Sequence, residues 1–390
     1  MTTARSRPLR ICYAGTYERD YPRNTLIIDA LRLAGVRVEE AHVPVFERER
    51  DKSHPGMLAL VALLLHLVIA YVRLVPEVAL RLLRCDALMV GYIGQMDAIV
   101  LGPVARLMGR PLIFNPLVTI TDTLIEDRER FPAGSPQARL VAAIDRLALR
   151  SATLMLIDTE ENARYLHERF GIERSRIVVV PVGADESIFF PQPGQTNQPG
   201  RDTLDVLFVG KFIPLHGIET ILQAVAILER QQVQLRVEIV GTGQTYEEMR
   251  ALAGELGLRT VLWTDWIPFD HLGERLRRAD IALGVFDDGP KAGRVIPNKV
   301  YQSLACGVAT ITRRSPAVEA LLRDRESALL VPPSDPEALA SAILQLTDAA
   351  TRERIAEDGH RAFVRHGSRS ALSQALRPVL DTIERSRERR

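Results

Sequence analysis

Twelve short runs rich in β-branched residues, each trailed by a stretch of helical periodicity, constrain this chain more than any other feature. Such alternation calls for parallel sheets assembled from strand-helix-strand units. The runs fall into two series. The first has expected strands at Leu9–Gly15, Val36–Val43, Ala87–Tyr92, Pro111–Pro116, Thr153–Thr159 and Arg176–Gly183. The second has Leu204–Gly210, Leu235–Gly241, Thr260–Ile267, Asp280–Phe286, Val308–Arg313 and Ala328–Pro332. Between them lies Pro191-Gln-Pro-Gly-Gln-Thr-Asn-Gln-Pro-Gly200, which has nothing to bury and reads as a linker. The spacing therefore predicts two α/β, doubly wound, Rossmann-like domains, an expectation that the length of 390 residues supports. Their boundaries are predicted at 1–190 and 204–369, with a linker at 191–203. A polar helix at 370–390 either packs back on the first domain or stays solvated. Two such sheets with their carboxyl ends across a cleft place the expected active site between the domains.

The segment Ile296-Pro-Asn-Lys-Val-Tyr-Gln-Ser-Leu-Ala-Cys-Gly307 reads as a helix that opens on a proline and an amide and closes on glycine. The N–H groups of such a first turn bind anions, and Lys299 is expected to add a full positive charge. Lysine is rare here, standing only at Lys52, Lys211, Lys291 and Lys299 against a large excess of arginine, and the last three sit in candidate phosphate loops. A second candidate loop is Phe208-Val-Gly-Lys-Phe-Ile-Pro-Leu-His-Gly217. In it Gly210 permits close backbone approach, Lys211 brings charge and Gly217 starts the next helix. The Val240-Gly-Thr-Gly243 turn lacks the third glycine of a dinucleotide fingerprint, so NAD binding gains little from it. Gly15, in Ala14-Gly-Thr16, ends the first strand where it can line a cleft. Vicinal Asp287 and Asp288 either ligate Mg²⁺ or cap a turn; no partner acids at metal spacing accompany them, and no metal is assigned.

The formal net charge of +1 removes the electrostatic argument for a nucleic-acid partner. Cys12, Cys85 and Cys306 are too scattered for a disulfide framework or a metal site, which fits a reducing cytoplasm. The apolar run near the amino end, Ile11 to Gly15, is too short for a signal peptide. Met57–Val72 is apolar almost all round and continues past Pro76 to Arg84. It is short for a membrane span, which leaves a buried core helix or peripheral contact with anionic lipid through Met57–Arg84.

Several of these motifs occur in one order: Val180-Pro-Val-Gly-Ala-Asp-Glu-Ser-Ile-Phe-Phe-Pro191, the Gly210-Lys211 loop, Val240-Gly-Thr-Gly243, Arg278-Ala-Asp-Ile281 and Asn298 to Ile311. In that order the chain resembles the retaining GT-B glycosyltransferases of the family 4 type, strongly from Val180 to Pro332 and loosely before. The resemblance implies a GT-B fold and transfer of a sugar from a nucleoside diphosphate donor to an acceptor hydroxyl with retention. It implies no cofactor. Lys211 matches the first member of the family's basic pair, and His216 stands where a lysine is usual. Asn298 and Lys299 stand where backbone N–H groups meet the donor phosphates.

Two positions depart from the family pattern. Where it has a Glu-x7-Glu pair, this chain has Arg294 and Gln302. The amide of Gln302 can still bond ribose hydroxyls, whereas Arg294 reverses the charge near the donor sugar, leaving Asp287 or Asp288 as replacements. The family's first-domain histidine is also missing; Asp122 or Asn115 is the expected acceptor-facing group, with Asp97 in the same position and a helix-capping role as the alternative. The implied roles are catalytic for Lys211, Lys299 and Asp122, and donor-binding for Gly15, Gly210, His216, Gly241, Arg294, Asn298 and Gln302. The expected setting is the cytoplasm or the cytoplasmic membrane face, with envelope or exopolysaccharide glycan assembly as the process and a lipid-linked molecule as one acceptor class. A sugar-nucleotide epimerase and a non-catalytic nucleotide-binding subunit remain the alternatives.

Overall fold

The structure, a computed structural model, describes residues 7–19, 21–45, 57–128, 130–192 and 203–390, with backbone alone over 57–64. Lys52 and all of the expected linker except its ends lie outside the described residues. The chain forms two compact units. One comprises the residues up to Ile125, Arg130–Pro181 and Leu372–Arg390, and the other is mainly Val182–Ala371.

The first unit contains β1 (Arg10–Gly15), β2 (Arg37–His42), β3 (Ala87–Val90), β4 (Leu112–Leu117), β5 (Leu154–Ile157) and β6 (Ile177–Val179). All pairings are parallel, in the order β2-β1-β3-β4-β5-β6. The crossovers carry α1 (Pro22–Leu33), α2 (Met57–Leu82), α3 (Gln95–Leu107), α4 (Pro136–Ser151) and α5 (Glu160–Phe170). Helices on both faces explain why β3 and β5 are apolar without alternation and fully buried. On one face, α2 seats Leu74, Val78 and Leu82 against Cys12, Leu88 and Leu101.

Strand order reverses between β1 and β3, so the crevice beyond their carboxyl ends is the place where such a sheet binds a ligand.

The second unit repeats the plan with β7 (Leu204–Val209), β8 (Leu235–Val240), β9 (Val261–Thr264), β10 (Ile281–Leu283), β11 (Ala309–Arg313) and β12 (Leu329–Val331). They pair in the order β12-β11-β10-β7-β8-β9, which sets the reversal between β7 and β10. The helices are α6 (Ile218–Arg230), α7 (Tyr246–Glu255), α8 (Phe269–Arg277), α9 (Pro290–Arg294), α10 (Asn298–Ala305), α11 (Pro316–Glu319), α12 (Pro336–Gln345) and α13 (Ala349–His366). After α14 (Arg369–Ala375), α15 (Arg377–Glu388) buries Val379, Leu380 and Ile383 with Ile11, Tyr13 and Met89 of the first unit.

The break between units falls after Pro181, ahead of the expected end of the first domain at residue 190. The intervening residues pack on α8 instead. Phe189 meets the Phe269 ring edge-on at 5.5 Å, and Arg277 lies 4.2 Å over Phe190 while donating to the Ile188 carbonyl.

Of the two expectations for α2, a helix buried all round is not what the structure shows. Ala70, Leu74, Val78 and Leu82 form a buried seam, whereas Leu65, Val68, Ile69, Val72 and Leu80 are exposed, as is Leu83 just beyond the helix. Among the described residues no helix is long and apolar enough to cross a membrane.

Candidate functional site

In the second unit, the crevice at the β7/β10 reversal is built around Gly210. A Cβ there would lie 2.6 Å from Lys299 Nζ and 2.8 Å from His216 Cε1, so only glycine leaves this space open. Gly241, at the end of β8, has φ +138° and would drive a Cβ to 1.9 Å from the Gly210 carbonyl oxygen. The two loops can approach this closely only because Gly241 lacks a side chain. His216 ends a short 3₁₀ turn and is tied to the β10 loop, its carbonyl accepting from the Phe286 N–H at 3.1 Å.

Lys299 comes from the first turn of α10, whose N-cap is Pro297. Its amine nitrogen sits 3.8 Å from the centroid of the Phe208 ring, and Nζ is buried with no hydrogen-bond partner among the described residues. Burial holds its pKa well below the usual amine range. The full charge expected at Lys299 is thus disfavoured in the free protein, because the site supplies no counter-ion. His216 is likewise held well below the ordinary imidazole range, first by burial and then by Lys299, against a raising contact with the Lys211 carbonyl.

That carbonyl receives His216 Nδ1, so Nδ1 carries the proton of the neutral ring and Nε2 is left as an acceptor. A phosphate oxygen arriving between these groups would favour both charged forms.

Lys211 is exposed at the rim, and Asn298 and buried Gln302 share α10 with Lys299. Arg294 and Lys291, at the end and start of α9, meet acids from a short stretch around Asp127 that clusters with this unit. Arg294 stands 3.6 Å from Glu126, and Lys291 3.3 Å from Asp127. Asp287 accepts from the Gly289 N–H at 2.9 Å, the turn-capping alternative, and its pKa is raised chiefly by burial. No group of three potential metal ligands occurs among the described residues.

In the first unit, Gly15 ends β1 at the β1/β3 reversal, where a Cβ would lie 2.4 Å from Asp97 Oδ2. The Thr16 N–H donates to that oxygen at 2.8 Å and the Tyr71 hydroxyl to Oδ1 at 3.0 Å. Asp97 therefore closes the Gly15 turn and anchors α2. Burial raises its pKa to about 6 in spite of these donors. Asp122 is buried at the start of a π-helical turn, Asp122–Asp127, and its N–H donates to Thr119 Oγ1 at 3.1 Å.

Two contributors escaped sequence reasoning. Phe208 supplies the face under Lys299, and its apolar side chain reads as ordinary strand core. Arg23 is fully buried, with Nε donating to Asn115 Oδ1 at 3.0 Å and Nη1 to the Val180 and Pro181 carbonyls at 2.7 Å each. A cation in the first turn of a helix, where the dipole disfavours it, was the available signal.

The profile for glycosyl transferases group 1 matches residues 203–349, and that for a glycosyl transferase 4-like domain matches residues 9–183. A D-inositol 3-phosphate glycosyltransferase from Acidothermus cellulolyticus is 32% identical over 63% of this chain and 54% of its own length. The lipopolysaccharide core biosynthesis glycosyltransferase LpsE from Rhizobium meliloti is 29% identical over 45% of this chain and 49% of its own. The chain thus spans about half the length of these curated relatives.

Among solved structures, Anabaena HepE in complex with UDP-glucose has a TM-score of 0.68 at 15% identity, over 96% of this chain and all of that one. Sucrose-phosphate synthase from Thermosynechococcus elongatus has 0.68 at 17% identity, over 97% of this chain and all of that one. Both likenesses concern the fold.

Proposed function

The chain belongs to the group 1 glycosyltransferases, of GT-B fold and family 4 type, and on that premise we propose that it moves a sugar from a nucleoside diphosphate donor to an acceptor hydroxyl with retention. The observation that carries this reading is the unpartnered Lys299 amine beside Gly210 and His216, at the crevice of the second sheet.

The diphosphate is the leaving group. As its bond to the anomeric carbon breaks, negative charge gathers on the phosphate oxygens, which Lys299, His216 and the first turn of α10 would stabilise in this reading. Lys211 adds charge at the rim. Preorganised donors of this kind are worth about 2.7–4 kcal/mol of barrier each. Lys299→Ala is therefore expected to lower sugar transfer by about two to three orders of magnitude without unfolding the protein. Near-wild-type turnover in a radiolabelled transfer assay would sink the assignment.

The candidate nucleotides are separated by thermal shift with UDP, GDP, ADP and TDP sugars, since a ligand that binds the folded state alone raises its melting temperature. Structural neighbours solved with UDP and with UDP-glucose favour the uridine donors for the first trial. The product's anomeric configuration, read by NMR, tests retention. Altered donor sugar without any acceptor would assign an epimerase instead.

A lipid-linked acceptor at the cytoplasmic membrane face fits the exposed stripe of Leu65, Val68, Ile69 and Val72 on α2, which can enter a bilayer interface. Val68→Ser with Val72→Ser is expected to reduce flotation with anionic vesicles and leave the melting temperature unchanged. Equal flotation would remove this part of the proposal.

A further inference from the structure

At the end of the first sheet opposite Gly15 and Asp97, a cleft of about 550 Å³ opens beside Pro111 and Thr153, which lead into β4 and β5. Five arginines line it: Arg106 and Arg110 from the α3 end, and Arg385, Arg389 and Arg390 from the α15 end. No aspartate or glutamate does. None of the five forms an ion pair among the described residues, although Arg7, Arg10, Arg32 and Arg81 of the same unit each meet a carboxylate. The bonds that three of them make are to neutral oxygens. Arg390 donates to the Gly109 carbonyl at 2.9 Å, Arg110 to the Leu82 carbonyl at 3.1 Å and Arg385 to the Thr382 hydroxyl at 3.0 Å.

In a chain with 49 acids for 50 bases, five adjacent cations with no ion pair among the described residues are not what balanced surface charge produces. Their mutual repulsion weakens the folded state unless something negative enters. Burial first and Arg110 next lower the pKa of Arg390, against a raising contribution from Asp86. Guanidinium forks match phosphate oxygens two at a time, and the hydroxyl of Ser386 adds a neutral donor at the wall, that of Thr382 being spent on the Pro378 carbonyl at 2.9 Å.

We propose that this cleft is a second anion site of the first unit, taking a ligand that bears at least two phosphate charges. The site is independent of the donor cradle, which lies in the other unit. Such charge arrives on a free diphosphate or on clustered phospholipid head groups. The second source is at hand structurally, because Arg110 holds the carboxyl end of α2 and exposed Leu83 and Leu107 stand on the neighbouring helix ends.

The test uses the full chain with its donor cradle saturated by UDP. Inorganic diphosphate is titrated by calorimetry, and vesicles of phosphatidylglycerol or of phosphatidylcholine alone are tested by flotation. The variant R106A/R385A/R389A is expected to bind at least one anionic probe about tenfold more weakly than the wild type, with an unchanged or higher melting temperature. Loss confined to free diphosphate identifies a soluble ligand, and loss confined to phosphatidylglycerol vesicles identifies the head group. If the triple variant misfolds, R389A alone is expected to show about a threefold loss, its exposed side chain making no bond among the described residues. Binding of both probes that is indifferent to these substitutions, or no binding of either to the wild type, overturns the proposal.

Discussion

Lys299 is the residue on which donor chemistry and protein stability meet. A buried amine over an aromatic face gains some cation-π attraction, but not enough to replace lost hydration, so its pKa falls well below 10.5. In the free protein the folded state therefore binds fewer protons than the unfolded one between that depressed value and 10.5. Stability rises with pH across this window. A bound diphosphate reverses the balance by restoring the charges on Lys299 and His216. Binding then takes up protons, and affinity falls as pH rises from the free-state values toward those of the complex. Calorimetric titration with UDP in buffers of different ionisation enthalpy is expected to show net proton uptake, smaller in Lys299→Met. An enthalpy independent of the buffer would contradict the link between anion and charge. Only half of this was readable from sequence. The pattern Pro-Asn-Lys announced a helix start and a cation, but the Phe208 face that removes its water comes from a strand some 90 residues away, which no local spacing reveals.

Elements were more legible than residues, because strand and helix periods are local while burial is not. Eleven of the twelve strands lie inside the runs expected for them, and β4 overruns its run by Leu117 alone. The sequence left α2 between a buried core helix and a peripheral one, since an all-round apolar helix carries no periodic cue to its buried seam. What joins elements at the site is tighter than periodicity suggests, and the glycines show it. Gly241→Ala would force the β7 and β8 loops apart and is expected to cost about 1–3 kcal/mol while abolishing nucleotide binding. Gly254→Ala, on α7 with nothing within 4 Å of the added carbon, is expected to stabilise by about 0.5–1 kcal/mol. Urea unfolding measures both; equal effects would mean that the close approach at Gly241 is not rigid.

For the whole molecule, the sequence pattern showed two sheets but not which helices complete them. Periodicity left 370–390 between packing and solvation, as its many arginines and glutamates read as a surface helix. Physically, three apolar residues on one stripe suffice. Val379, Leu380 and Ile383 fill the face of the first sheet beside Ile11, Tyr13 and Met89, whereas the main core cluster of the second unit runs from Leu204 to Ile355 and takes no residue of α15. The last segment of the chain is thus a structural member of the unit formed by the first. Ile383→Ala removes a fully buried side chain, at a cost of about 2–5 kcal/mol. Because the loss falls within one core, hydrogen exchange is expected to quicken at the amides of β1 and β3 and to stay unchanged at those of β7 and β8. Faster exchange in both sheets would mean that the two cores do not open separately, and unchanged exchange in β1 would mean that α15 merely covers a sheet already stable without it.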